Sequence, residues 1–503
     1  MRAWGESRAA AFASGMAAGG GFLLVELAAR VVASVPTLPE LFQDRLVQAL
    51  PGPVFSFMLA RLLYLGKPLL FAGLLLLQLL AAGLVAHAIA RWDWRPASVV
   101  VAGLWAVTGL VLLPLAGEAP FGGSPAVAVV TLLAFAAYVL IFEGLRLPPS
   151  APSQWHAAGP FLSQAAARRD VIAGVLLLAA AAVLARRALG AIPSLSSGGK
   201  TGGTPRSPQG GEGGLPPPMT PADQFYVVSK NIDDPTVDAG NWSLQLSGMV
   251  DHPLKLSYTD ITSMPSQEFV RTLECISNEV GGDLISNGIW TGVRLSDVLN
   301  KAGMQGGAKV LNFTSVDGYT ENMSLEKAMD PNTFLAYKLD GQPLPPKHGY
   351  PVRVLGVGTY GMKNPKWLTK IEVAGSAEQG FWEQQGWNPD AIVQTMSRID
   401  SPHQGDVVPA GTVAGIAFAG DRGIQKVELS IDGGKTWQPA DLLPPLGPLT
   451  WVFWRTSISL ESGPYDVQVR ATDGSGQLQT NRRADPFPAG SSGYHHARIE
   501  VRS

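Results

Sequence analysis

The stretch Phe269–Val270–Arg271–Thr272–Leu273–Glu274–Cys275–Ile276–Ser277–Asn278–Glu279–Val280–Gly281–Gly282 carries the only cysteine in a chain of 503 residues. A lone cysteine forms no internal disulfide, so Cys275 has no such structural task. Most free cysteines are small buried hydrophobes. The neighbours argue for more. An apolar, strand-like entry of Phe269, Val270 and Leu273 runs into Cys-x-x-Asn and then a Gly-Gly turn. That pattern predicts the sulfur where a strand meets a loop, and a thiolate there can ligate a soft metal or act as a nucleophile.

Outward from this stretch, the two halves of the chain differ. Up to about residue 190 the chain is rich in Leu, Ala and Val, and beyond it the composition is that of an ordinary soluble protein. The length leaves room for about two to four domains. A formal net charge of −2 gives no electrostatic reason to expect nucleic acid. No Walker-type phosphate loop and no CxxC pair occur.

Apolar runs at 11–34, 68–90, 97–115, 125–142 and 171–184 each approach the ~20 residues that span hydrocarbon, the last only with its flanks. They predict an α-helical transmembrane bundle of about five helices in the lipid bilayer. The segment 38–65 reads as interfacial or re-entrant, with a sixth span as the alternative. Arg2, Arg8, Arg91, Arg95, Arg146, Arg168 and Arg169 fall on one side of a five-span arrangement, which the positive-inside rule makes cytoplasmic. Arg45, Arg61, Lys67, Arg186 and Arg187 run against this without reversing it. Everything after about residue 189 is then extracytoplasmic, on a multi-pass protein of the cell membrane. Only His87 lies in a predicted span, so no bis-histidine haem is expected in this chain. Glu26, Gln78 and Glu143 are polar groups in or near spans; Glu26 has Arg30 one turn away as a partner. The bundle reads as an anchor.

Residues 191–219 are rich in Gly, Ser and Pro and read as a flexible linker. From Thr220 short strands mix with occasional helices, an α+β pattern over 220–395. A strand at 242–246 ends at Gly248, and helices are expected at 256–261, capped by Ser257 or Thr259, and at 294–302. Further strands are expected at 311–316 and 352–357. Residues 396–503 read as all-β, with strands at 412–418, 424–431, 457–460, 465–471 and 498–501 and a strong hairpin turn at Asp432–Gly433–Gly434. That spacing suggests an immunoglobulin-like sandwich without its disulfide.

Several motifs in order carry a resemblance. They are Asp223–Gln224–Phe225–Tyr226–Val227, then Thr272–Leu273–Glu274–Cys275–Ile276–Ser277–Asn278, then Leu335–Ala336–Tyr337–Lys338–Leu339–Asp340–Gly341. Pro345–Pro346–Lys347–His348–Gly349–Tyr350–Pro351–Val352–Arg353–Val354 and Tyr360–Gly361–Met362–Lys363–Asn364–Pro365–Lys366–Trp367–Leu368 follow. Over 220–503 the chain resembles the sulfite oxidase family of molybdopterin enzymes, ending in that family's immunoglobulin-like dimerization domain. The resemblance implies one molybdenum, one pyranopterin and one cysteine thiolate, which only Cys275 can supply. It implies that Asp223 lies in the cofactor-binding stretch, that Tyr226 and Val227 contact the cofactor through their backbone, and that Ser315 and Asp317 line the pterin. It further implies that Asn364–Pro365–Lys366 closes over the pterin and that Tyr337 is the active-site tyrosine. His348, Arg353, Lys363 and Lys366 can offer donors and positive charge to the pterin phosphate.

By this resemblance the family's sulfite-gathering arginines are replaced here by Glu279 and Val280, and by Val228, Ser229 and Lys230, which disfavours inorganic sulfite. The resulting expectation is a membrane-anchored, extracytoplasmic oxidoreductase performing two-electron oxygen-atom transfer on a small molecule or a protein side chain. Alternatives are a sulfite oxidase, a methionine-sulfoxide-type reductase, or a cofactor-free envelope binding or scaffold protein. Expected partners are a cytochrome or quinone-linked electron carrier and a second copy through the C-terminal domain. Arg168–Arg169, before the last apolar run, resembles an internal twin-arginine export signal.

Overall fold

Gly15 and Gly19 allow a close helix contact in the first half. A Cβ on either would collide with Ala86 or Ala82 of another helix, so only glycine lets the two backbones approach. The computed structural model describes residues 8–33, 35, 37–49, 66–91, 97–115, 120, 125–146, 215–231, 234–408, 411–457 and 461–502. They fall into two compact units, one before and one after the linker. The expected span 171–184, the Arg168–Arg169 pair, segment 53–65 and most of the linker lie outside the described residues.

In the first unit, helix Arg8–Ala33 packs against Gly66–Arg91 and Pro125–Arg146. Among the described residues, three helices are long and apolar enough to cross a membrane: Ala11–Val32, Leu69–Ala90 and Pro125–Glu143. The run 97–115, expected as a continuous span, is α-helical over Ala97–Val107 and then turns π-helical over Thr108–Leu112. Pro114 brings no amide and its ring crowds the carbonyl four residues back, while Thr108 Oγ1 donates to the Leu104 carbonyl at 2.8 Å. Segment 38–49 is a helix, Leu38–Ala49. Glu26 is buried, accepting from the Leu38 amide at 3.0 Å and from Gln78 Nε2 at 2.9 Å, and Arg30 Nε donates to Glu40 at 2.9 Å.

The second unit begins with ten strands: β1 Ser243–Gly248, β2 Leu254–Ser257, β3 Gln267–Glu274, β4 Ile285–Arg294, β5 Val310–Ser315, β6 Thr320–Ser324, β7 Phe334–Leu339, β8 Gln342–Pro343, β9 Arg353–Leu355 and β10 Leu368–Ala374. One sheet has the order β2-β1-β10-β5-β6, with β1 and β10 parallel. The other runs β3-β4-β7-β8, with β9 on β7. Helix Leu295–Ala302 buries Leu295, Val298, Leu299 and Ala302 among Leu311, Phe313, Leu335 and Ile371, and ends at Gly303 with φ +68°. The expected helix at 256–261 begins only at Tyr258. Leu254 to Ser257 pairs as a strand, and Ser257, not Thr259, caps the helix in a capping box with Asp260.

Nine further strands follow: β11 Met396–Ser401, β12 Val407–Val408, β13 Thr412–Phe418, β14 Ile424–Ser430, β15 Gln438–Pro439, β16 Asp441–Leu442, β17 Val452–Ser457, β18 Gly463–Asp473 and β19 His495–Val501. They form two sheets, β11-β13-β17-β16 and β12-β19-β18-β14-β15. Alternate residues Val467, Val469 and Ala471 of β18 share one core with Val413, Ala417 and Trp454 of the other sheet. Residues 458–460 of the strand expected at 457–460 lie outside the described residues; the strand described before them is Val452–Ser457. The Asp432 hairpin turn is as the sequence predicts: Gly433 and Gly434 take φ of +73° and +88°, and Asp432 Oδ1 accepts the Lys435 and Thr436 amides at 3.0 Å.

Candidate active site

Strand β3 pairs with β4 along its whole length, from Gln267↔Gly292 to Glu274↔Ile285, so Cys275 is the first residue beyond the ladder. The loop after it is tied to itself. The Cys275 amide donates to the Leu284 carbonyl at 2.9 Å, and its carbonyl accepts the Asn278 amide at 2.9 Å. Asn278 accepts the Leu284 amide at 3.0 Å and donates to Glu274 at 2.8 Å. A Cβ on Gly282 would lie 2.5 Å from Asn278 Oδ1, which accounts for that glycine. Cys275 is buried, and burial pushes its thiol up to about 11 against hydrogen bonds from Ser277. A soft cation would reverse that preference by binding the thiolate.

Cys275 lines a cleft with about 850 Å³ of empty space, part of it open to solvent. Five segments meet there. The first is 225–230, where the Tyr226 amide donates to Ser286 Oγ at 3.1 Å and Phe225 packs edge-on against Trp290 and His348. The second is the 275–277 loop. The third carries Asp317 and Tyr319 beyond β5, and the fourth carries Lys347, His348, Arg353, 361–362 and 364–367. Trp382 and Trp387 form the fifth wall.

Four basic residues of the cleft, Lys347, His348, Arg353 and Lys366, bind backbone. Lys347 Nζ donates to the Asp223 carbonyl at 3.0 Å, and Lys366 Nζ to the Lys347 carbonyl at 3.0 Å. His348 Nε2 lies 2.9 Å from the Ala222 carbonyl; burial, helped by Arg353, pulls its pKa down to about 3, so the neutral ring donates there. Arg353 donates to the His348 and Asn364 carbonyls at 3.2 and 3.1 Å and lies over Trp290. Its Nε is buried without a partner, and among the described residues no carboxylate pairs with it. A buried guanidinium that meets only carbonyls is costly unless an anion joins it. The residues therefore fit a group with a soft metal at one end and a phosphate at the other.

The structure brings Cys275, Tyr226, Val227, Asp317, His348, Arg353, Asn364, Pro365 and Lys366 to this one cleft. It does not bring four others. Asp223 is exposed and reaches the cleft only through the bond from Lys347 to its carbonyl. Ser315 is buried at the end of β5 with an unpartnered hydroxyl, outside the lining. Tyr337 sits in the hydrophobic core, edge-on to Tyr258 at 6.4 Å, because β7 is covered on both faces. Lys363 turns away to Glu321 and Glu383, at 2.7 and 2.5 Å.

Of the positions read as replacing anion-binding arginines, Glu279 is exposed and neither it nor Val280 lines the cleft. Val228, Ser229 and Lys230 do line it, and Lys230 Nζ stands 3.6 Å from Asp317. Besides Tyr226 the cleft contains Tyr319, which sequence reasoning missed. Its signal was local: it follows the Asp317–Gly318 turn, where Gly318 has φ +73°.

Residues 231–382 match the oxidoreductase molybdopterin binding domain, and 390–486 match the Mo-co oxidoreductase dimerisation domain. The chain is 29% identical to Arabidopsis thaliana sulfite oxidase over 324 residues, covering 52% of this chain and 82% of that protein. It is 33% identical over 187 residues to the uncharacterized oxidoreductase YuiH of Bacillus subtilis, covering 37% of this chain and 91% of the relative. Against Hordeum vulgare nitrate reductase [NAD(P)H] it is 28% identical, covering 52% of this chain but only 37% of that protein. Fold, cleft and matches define a molybdopterin-binding oxidoreductase. The chain belongs to the sulfite oxidase family and its cofactor is Mo-molybdopterin.

Proposed function

We propose that this protein is a membrane-anchored oxidoreductase whose soluble half works outside the cytoplasm, transferring an oxygen atom in a two-electron reaction. One observation carries the placement of the centre: the Cys275 thiol opens into the same cleft as the anion-free guanidinium of Arg353. Cys275 would supply the metal's thiolate. Arg353, with Lys347, Lys366 and neutral His348, would hold the pterin phosphate, and Tyr226, Val227, Asp317 and 364–366 would line the pterin. The bound molybdenum supplies the oxygen-atom and electron chemistry. Ser315, with its unpartnered hydroxyl, and Asp223, through its carbonyl, would support the cleft from outside its lining.

Three helices long and apolar enough to span a bilayer support the anchor, and the distribution of basic residues supports an extracytoplasmic soluble half. The two C-terminal sheets read as an immunoglobulin-like sandwich that would join two copies, and the electron partner would be a cytochrome or a quinone-linked carrier. For division into domains we take 1–190, a linker over 191–219, 220–395 and 396–503. Lys230 is paired with Asp317 and the far wall is Trp382 and Trp387, so the cleft suits an uncharged, partly apolar substrate better than inorganic sulfite. The test is metal analysis of the purified full chain beside Cys275→Ser, followed by a substrate and acceptor screen. Molybdenum near one per chain, lost in the variant, is expected. A serine variant with full metal content and turnover would refute the assignment of Cys275.

A further inference from the structure

Tyr319 leads from the cleft into a buried set of charges. Its hydroxyl lies 2.8 Å from the Met362 carbonyl and 3.3 Å from Glu321 Oε2. Glu321 Oε1 is already engaged, accepting from Lys363 Nζ at 2.7 Å and the Asn322 amide at 2.9 Å. Lys363 also donates to Glu383 Oε1 at 2.5 Å, and all three of these charged side chains are at most 6% exposed. Two carboxylates share one ammonium. Burial pushes Glu321 up to about 7 against the pull of Lys363, whereas Glu383, despite burial, is held below the usual carboxylate range by Lys363, the Gly380 amide and the Glu321 side chain. The excess proton therefore belongs to Glu321.

Its position on that carboxyl follows from the bonds. Oε1 already accepts two, so the proton goes to Oε2, the atom that faces Tyr319. A phenol has one proton to give. With Glu321 ionised, Tyr319 can give it to Oε2, away from the cleft. With Glu321 protonated, Oε2 donates to the phenol oxygen, and the phenol proton is left for the Met362 carbonyl or for an oxygen bound in the cleft. We propose that Glu321 is a positioning residue that sets the direction in which the Tyr319 hydroxyl donates. The proposal rests on the cleft being the active site.

Gly380 supports the same reading. A Cβ there would lie 2.6 Å from Glu321 Oε1, although the Gly380 backbone, φ −65°, suits any residue. The bare Cα admits the carboxylate. The other charged groups packed around Tyr319 are Asp317, paired with Lys230, and Glu383 on the helix Phe381–Gln384, whose Phe381 ring contacts Tyr319 at 5.9 Å.

The test reads the phenol directly and needs no turnover, so it fails or succeeds apart from the functional reading. Ultraviolet resonance Raman spectra of the full chain in detergent are recorded between pH 5.5 and 8.5, and the Tyr319→Phe spectrum is subtracted to isolate one ring. The tyrosine doublet is expected to lose its acceptor component and become donor-only as pH rises through neutrality. That passage should vanish in Glu321→Gln, shift its midpoint in Gly380→Ala, and persist in Asp317→Asn. A wild-type doublet that does not change with pH overturns the proposal, even if Glu321→Gln fails to fold. So does a change that survives in Glu321→Gln.

Discussion

The hydroxyl of Thr272, three residues before Cys275, accepts the Trp451 amide at 2.9 Å while donating to Asn287 Oδ1 at 3.0 Å. The Thr272 amide in turn donates to the Leu449 carbonyl at 3.0 Å. The β-rich C-terminal part thus clasps the strand that presents the thiol. Thr272→Val keeps the shape and orphans two buried partners, at about 1–3 kcal/mol each. The full chain should lose about 2–4 kcal/mol of unfolding free energy, and Thr272→Ser should recover most of it. Equal melting of the valine variant and the wild type would show that the clasp does not hold the strand.

Arg353→Lys keeps the charge, but a single ammonium on a thinner stem cannot replace the fork that reaches both the His348 and Asn364 carbonyls over Trp290. One buried carbonyl is left bare, costing about 1–3 kcal/mol. Molybdenum content, measured by elemental analysis, should fall below about half of the wild-type value, since about ten-fold weaker retention corresponds to ~1.4 kcal/mol. Undiminished metal with an unchanged melt would remove Arg353 from the phosphate end.

What could be read from the chain follows physical lines. Cys275 and the group from His348 to Lys366 were legible because their chemistry is concentrated in contiguous stretches, and those stretches fold into adjoining walls of one cleft. Tyr319, Trp382 and Trp387 were not, because only the pairing of β10 with β5, and the chain's return after β10, bring them there. Tyr337 stands out in the sequence by motif resemblance alone. Leu335 and Tyr337 face one core and Ala336 and Leu339 the other, so both faces of β7 are apolar and the local pattern carries no check on that assignment. Lys363 shows the limit of charge clusters: three residues from Lys366, it serves a different set of carboxylates.

His348 should make stability depend on pH in a definite sense. Its folded-state pKa, about 3, lies below the ordinary 6.5, so the unfolded chain binds the proton more readily. The contribution is complete above about 6.5 and is lost as pH falls toward 3. Within that window wild type should lose stability relative to His348→Gln by up to about 1.4 kcal/mol per pH unit. Parallel denaturation series at pH 7.5, 6 and 5 decide the matter. Identical slopes would mean that the imidazole is not held neutral.

Lys230 offers the one cation at the positions where sulfite-binding arginines were expected, and Asp317 compensates it. Asp317→Asn removes that compensation while preserving most of the turn. With rates normalised per molybdenum, kcat/KM for sulfite should rise by about ten-fold, ~1.4 kcal/mol of anion attraction. Fast sulfite turnover already in the wild type, with tight half-saturation, would show that other basic residues gather the anion.

Arg168 and Arg169, on which an export prediction turns, lie outside the described residues, and their role is read from their place in the sequence. Burial of Cys275 and Arg353 implies that the cofactor is enclosed by folded protein, so threading an unfolded chain through a membrane would release it. The soluble half would therefore cross already folded. Arg168–Arg169 stands directly before the last apolar run, which in the proposed topology would carry that half across, whereas the earlier spans would need only the general translocon. Two arginines at that place also satisfy the positive-inside rule, so charge alone cannot distinguish the two roles. Replacing both by Lys keeps the charge that orients the span and removes the paired guanidiniums. The expected result is a chain inserted through its earlier helices whose soluble half stays protected from external protease. If that half still reaches the outer face loaded with molybdenum, the pair sets orientation only.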